Sequence, residues 1–173
     1  MTVEVRGAKE VLRELRKIDP EARKSFNKEA KRIVKPAIDV AQAKYPWKIL
    51  SGMARPWTTK SGRVLFPYTQ SAAQKGVKPS VNTSRSKNYV LAVIQKDVAA
   101  SIVDMAGKKT KGRSGPGSTS GERFVYNVTG VLGQPSRVMW PAVEEQMPAI
   151  EDEMRKVLDE VAVRVNRKID EVR

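Results

Sequence analysis

The chain has 173 residues, 33 Lys and Arg against 19 Asp and Glu, and a formal charge of +14 at pH 7. It holds no cysteine and no histidine, which excludes a disulfide framework, a thiolate or imidazole metal site, a cysteine nucleophile and a Ser-His-Asp triad. Hydrophobic residues at 40% and charged residues at 30% describe a globular chain, and no apolar run nears the ~20 residues of a membrane helix.

The length suits one compact domain spanning 1–173. Met1 to Ala8 mix Glu4 and Arg6 with valines, unlike a signal peptide, so a cytosol-like compartment is expected. Asn82-Thr83-Ser84 and Asn127-Val128-Thr129 match the glycosylation pattern by chance on that reading. The charge is uneven. Residues 1–44 carry 12 basic and 7 acidic side chains, residues 45–124 carry 14 and 3, and residues 125–173 carry 7 and 9. The +11 middle suits nucleic acid, an acidic protein surface, or the −2 C-terminal segment of a neighbouring copy.

Residues 8–18 have helical spacing, with Val11, Leu12, Leu15 and Ile18 on one face. Asp19-Pro20-Glu21 then supplies an N-cap, a proline at the first helical position and an acid in the first turn. The helix that follows runs to about Ala43 on the stripe Ala22, Phe26, Ala30, Ile33, Val34, Ala37, Val40 and Ala41. Pro36 predicts a kink or short break, and Tyr45-Pro46 ends the helix. Residues 45–88 are punctuated by Pro46, Gly52, Pro56, Gly62, Pro67, Gly76 and Pro79. They are expected to form a long arm with one short strand, Arg63 to Tyr68.

Tyr89 to Gln95 reads as a strand, Lys96-Asp97 as its turn, and Ala99 to Met105 as the return strand. Residues 107–121 form a Gly/Ser/Lys-rich loop, the second arm. Residues 123–129 predict a third strand with Phe124, Tyr126 and Val128 on one face. The last segment is a long helix. Val143, Met147, Ile150, Met154, Val157, Val161, Val165, Ile169 and Val172 recur every three or four residues. Pro148 is expected in its first turn, after a separate turn over 141–146. Glu151, Asp152 and Glu153 near its start and Arg164, Arg167 and Lys168 near its end suit the helix dipole.

Few residues suggest chemistry. Gly107 to Ser114 approach the phosphate-binding P-loop, but Arg113 stands where that pattern needs lysine, and Gly115-Pro116-Gly117 does not start the required helix. Lys108, Lys109, Lys111 and Arg113 of the same loop are candidate contacts to a partner protein or, non-specifically, to DNA phosphates. No aromatic lies inside the loop for base stacking, and no base-reading motif is evident. The acidic residues at the last helix suit the dipole rather than paired acid–base work. Asp97 falls at a turn, and Asp104 in a strand, to be paired with a lysine or arginine. An enzyme is not expected, and no cofactor or metal is implied. Trp47 and Trp57 are candidate interface anchors, and Trp140 is either an anchor or core.

Several segments together resemble the tail-completion or head–tail joining proteins of long-tailed bacteriophages. Arg6-Gly7 precedes a short amphipathic helix, and the helix after Asp19-Pro20 ends in residues 37–46, AIDVAQAKYP. Its Ala41-Gln42-Ala43-Lys44-Tyr45-Pro46 resembles that family's alanine run before a proline, with Ser51-Gly52 or Ser61-Gly62 following. Residues 101–109, SIVDMAGKK, resemble its strand that closes on a glycine. Residues 135–145, PSRVMWPAVEE, resemble its approach to the last helix. The resemblance covers both ends and part of the middle; 53–88 and 107–121 are poorly matched.

It implies an α+β fold, with N-terminal helices and a long C-terminal helix packed on a small antiparallel β-sheet. It implies a structural protein of the virion neck, assembled in the host cytoplasm into a homo-oligomeric ring, six-fold, at the head–tail junction. The implied partners are the neighbouring connector and tail-tube or tail-terminator proteins, with non-specific contact to the DNA passing through. It transfers no catalytic residues. The competing expectations are a tail-terminator ring and a basic, non-specific DNA-binding module.

Overall fold

The computed structural model describes residues 2–3, 20–81, 91–108 and 119–172. The helix expected over 8–18 lies outside them. Asp19 is outside as well, but the helix it was expected to cap is present as α1 (Pro20–Ile33), followed by α2 (Lys35–Lys44). The break falls at Val34, because Pro36 in the first turn of α2 has no N–H to continue the α1 ladder. Val34 N still reaches Ala30 O at 3.4 Å, and Ile38 N reaches Val34 O at 3.1 Å, so the two helices share one buried stripe. Ala22, Phe26, Ala30, Ile33, Val34, Ala37 and Ala41 of the expected stripe are buried, and Val40 packs against it.

The fold is α+β. Strands β4 (Val77–Val81) and β5 (Leu91–Gln95) pair antiparallel from Val77↔Gln95 to Val81↔Leu91. β1 (Thr2–Val3) flanks β5 on its other side, giving the order β1-β5-β4. β5 is apolar on both faces, and Leu91, Ala92 and Val93 are all buried. Helices α1 and α2 pack on β4 and on the long α6 (Met139–Val172). Val143, Ile150, Met154, Val157 and Val161 of α6 enter the same core.

Four expectations are corrected. The return strand over 99–105 is a helix, α4 (Val98–Met105); Asp97 accepts from Ala100 N at 2.8 Å and caps it. The strand over 123–129 is also a helix, α5 (Ser120–Leu132). It starts in a capping box in which Thr119 accepts from Glu122 N and Glu122 accepts from Thr119 N. Pro148 lies inside α6 rather than in its first turn. It is exposed, as is Glu144, whose carbonyl the missing N–H leaves without its helical donor.

The arm expected over 45–88 is folded through residue 81. It contains a 3₁₀ turn (Ser51–Ala54), a hairpin of β2 (Trp57–Thr58) with β3 (Val64–Phe66), helix α3 (Gln70–Gly76) and β4. β3 is the short strand foreseen within 63–68. Three of the arm's aromatics pack inward: Tyr45, Phe66 and Tyr68 are buried with Ile49 and Met53. Side-chain amides stitch the stretch to α2. Gln42 and Gln74 each donate to the other's carbonyl, at 3.0 and 3.1 Å, and Gln70 donates to Tyr45 O at 2.8 Å. Tyr68 Oη donates to Pro46 O at 2.7 Å. The second expected arm, 107–121, is described only at 107–108 and from 119, where α5 begins.

Candidate interaction surface

Three helix ends meet at one joint. α6 begins after Val138, whose side chain has no oxygen with which to cap its own helix. The cap comes from α4 instead. Asp104, buried at the end of that helix, accepts from Val138 N at 2.6 Å and from Met139 N at 3.4 Å. A carboxylate at this end also meets the positive pole of the α6 dipole.

Arg137 completes the joint. Its guanidinium donates to Val103 O at 2.8 Å and Asp104 O at 3.2 Å, carbonyls of the last turn of α4. It also donates to Gly133 O at 2.7 Å and to Thr129 Oγ1 at 3.0 Å, at the end of α5. Burial lowers the Arg137 pKa from its usual value, and the Asp104 charge acts in the opposite direction. Ser136, at φ 71°, takes the left-handed conformation that turns the chain here, and its N–H reaches Asp104 O at 2.8 Å. Asp104 is thus on a helix rather than in a strand, and its carboxylate caps another helix.

Helix α5 is held mostly at its ends. Val128 is its one fully buried residue, while Tyr126 and Val131 are exposed. The opposite end of α5 and the β2–β3 hairpin enclose an open cleft of about 430 Å³. Its wall is aromatic. Trp57 stacks on Phe66 with centroids 5.6 Å apart, and Phe66 meets Phe124 edge-on at 6.1 Å. Leu50, Met53 and Pro56 add to the apolar lining, and its charged members, Arg55 and Arg123, are both cationic and exposed. Among the described residues neither guanidinium makes an ion pair.

The structure therefore places Trp57, one of the two expected anchors, in a cleft, with the residue 49% exposed. Trp47 is 77% exposed, stands outside the cleft lining, and has Lys48 Nζ 5.8 Å from its ring centroid. Trp140 is exposed at the start of α6 rather than in the core. Of the basic-loop candidates Lys108 is exposed after α4, and Lys109, Lys111 and Arg113 lie outside the described residues. Sequence reasoning missed Arg55, Phe66, Arg123 and Phe124 as one surface. The Thr119–Glu122 capping pattern is the signal that makes 120–132 a helix and so brings them together.

Among the described residues no group of three or more His, Cys, Asp or Glu is placed to hold a metal, and no helix is long and apolar enough to cross a membrane. No family model, curated protein or solved structure matches this chain.

Proposed function

We propose that this chain is a structural protein of the neck of a long-tailed phage particle, where copies form a ring joining the head connector to the tail tube. The observation that carries the reading is the joint. Two of the segments that resemble the head–tail joining proteins, 101–109 and 135–145, lie 34 residues apart at Asp104 and Val138 and meet there in a buried carboxylate-to-amide bond. The resemblance thus falls on residues that act together in space. Arg137 and Asp104 tie the start of the long helix to the ends of α4 and α5.

The surface suits assembly rather than turnover. Exposed Trp47, Trp57, Tyr126, Val131 and Trp140 give contact area. The electropositive middle and acidic end give one copy two segments of unlike charge, an asymmetry that head-to-tail contacts can use. In this reading Lys108 and the loop it opens contact neighbouring protein or the phosphates of DNA in transit. The test is immunogold labelling of purified particles, viewed by electron microscopy. Gold at the head–tail junction is expected. Protein confined to the lysate, and retained on duplex DNA with a steep salt dependence, would replace the neck reading with a non-specific nucleic-acid-binding module.

A further inference from the structure

We propose that the aromatic cleft between the β2–β3 hairpin and α5 is a socket for the solvent-facing ridge of α6 of a second copy. The inference rests on the ring reading and names the two surfaces that would make it.

The socket side is defined by Trp57, Phe124 and the two guanidiniums of Arg55 and Arg123. Apolar surface of this kind is usually covered, and two cations that make no ion pair among the described residues favour an acidic occupant. The same chain carries such an occupant. Residues 144–160 of α6 hold seven acids, Glu144, Glu145, Glu151, Asp152, Glu153, Asp159 and Glu160, against Arg155 and Lys156, for a net charge of −5.

The ridge also has the right order of chemistry. Glu145 and Asp152 are seven residues apart, which on a helix puts them on one line about 10.5 Å apart. Between them Pro148 and Ala149 are exposed and apolar. An apolar turn between two carboxylates therefore faces outward, opposite Val143, Ile150 and Val157, which fill the core. Glu145 lies 3.5 Å from Lys44, but both side chains are substantially exposed, and such a pair is readily exchanged for another cation. In the socket Pro148 and Ala149 would meet the aromatic wall, with the carboxylates on Arg55 and Arg123.

Socket and ridge lie on different elements, which permits the heterologous contact that the ring reading requires. Each copy offers its socket to one neighbour and its ridge to the other, which generates a ring when the rotation closes.

The chain has no cysteine, so single cysteines report cleanly. Asn127→Cys, at the cleft, and Ala149→Cys, on the ridge, are prepared separately, checked for native circular dichroism, and mixed with a short bismaleimide. The expected result is a cross-linked dimer at least ten times more abundant in the mixture than in either preparation alone. Arg55→Glu with Arg123→Glu on the socket partner should suppress it at least five-fold, and Glu145→Arg with Asp152→Arg on the ridge partner should restore it. A mixture that cross-links no better than its components, or a yield indifferent to the charge reversals, overturns the inference. Particles with gold at the neck but without this cross-link would keep the neck reading and discard the socket. Cross-linking by a protein absent from particles would do the reverse.

Discussion

Replacing Asp104 tests whether the joint is what seats the long helix. In Asp104→Ala the N–H groups of Val138 and Met139 lose their acceptor at a buried helix start. Losing a capping side chain costs about 0.5–2 kcal/mol, and leaving a buried donor unpaired costs about 1–3 kcal/mol; these describe largely the same event and are not added in full. Arg137 also loses a neighbouring negative charge in a site where its own burial already disfavours its charged form. Together the expected loss is about 3 kcal/mol. Asp104→Asn keeps an oxygen acceptor and loses only the charge. Since bonds to charged groups exceed neutral ones by roughly 1 kcal/mol, its expected loss is about 1 kcal/mol. Equilibrium urea unfolding followed by circular dichroism, at concentrations where the chain does not self-associate, reads both values. An alanine variant within about 0.5 kcal/mol of wild type, or an asparagine variant as unstable as the alanine one, would refute the capping argument, because the first denies the bond and the second denies that its oxygen matters.

Three further outcomes follow from the packing. Val157→Asp puts a carboxylate into the α6 stripe that packs on α1 and α2, and should cost at least about 3 kcal/mol in the same unfolding assay; native-like stability would sink the core assignment. Gly76→Ala should cost about 1–3 kcal/mol, because a methyl there runs into Gln95 Oε1 and comes within 2.9 Å of Asp97 N; an unchanged midpoint would show that the turn yields freely. Burial pushes the Tyr68 hydroxyl from its usual 10 up to about 12, and pushes buried Tyr45 up as well. The unfolded chain therefore releases these protons first, so stability is fully present below pH 10 and falls as pH rises toward 12. Ultraviolet titration of the phenolates checks this: all tyrosines ionising together near pH 10 would contradict the burial.

The helices on one side of the core were legible because a single apolar stripe at helical spacing has one reading. The stripes from Phe26 to Ala41 and from Val143 to Val161 are buried as their spacing predicts, except that Val40 and Met147 are half-buried. Pro36 likewise marked the α1–α2 break. Short apolar runs were not legible. Residues 98–105 suit a strand by composition, and only the cap that Asp97 gives Ala100 N distinguishes the helix. In 123–129 the alternation of Phe124, Tyr126 and Val128 imitates a strand, but α5 buries only Val128 completely. β4 was hidden by Pro79, which cannot donate to a ladder; the order β1-β5-β4 puts it on an edge, where a proline is tolerated. Of the cleft, only Trp57 was visible in advance. The rest depends on α5 being a helix that brings Arg123 and Phe124 to a hairpin some 60 residues earlier in sequence.

These corrections join the candidate surface to the joint. A 13-residue helix with one fully buried side chain has little packing of its own to hold it. The capping box fixes its start, beside the cleft, and Arg137 fixes its end through Gly133 O and Thr129 Oγ1. The same guanidinium grips the end of α4, and Asp104 of α4 holds the start of α6. The fork of a guanidinium spans these three carbonyls and one hydroxyl at once, a geometry that a lysine ammonium does not reproduce. One pair of residues thus ties the wall of the cleft to the start of α6, whose course is then held by its packing on α1 and α2. In the proposed assembly, with a socket for one neighbour and a helix ridge for the other, that link helps set the angle between the two contacts, and the angle between successive contacts decides whether a head-to-tail assembly closes into a ring or runs on as a filament.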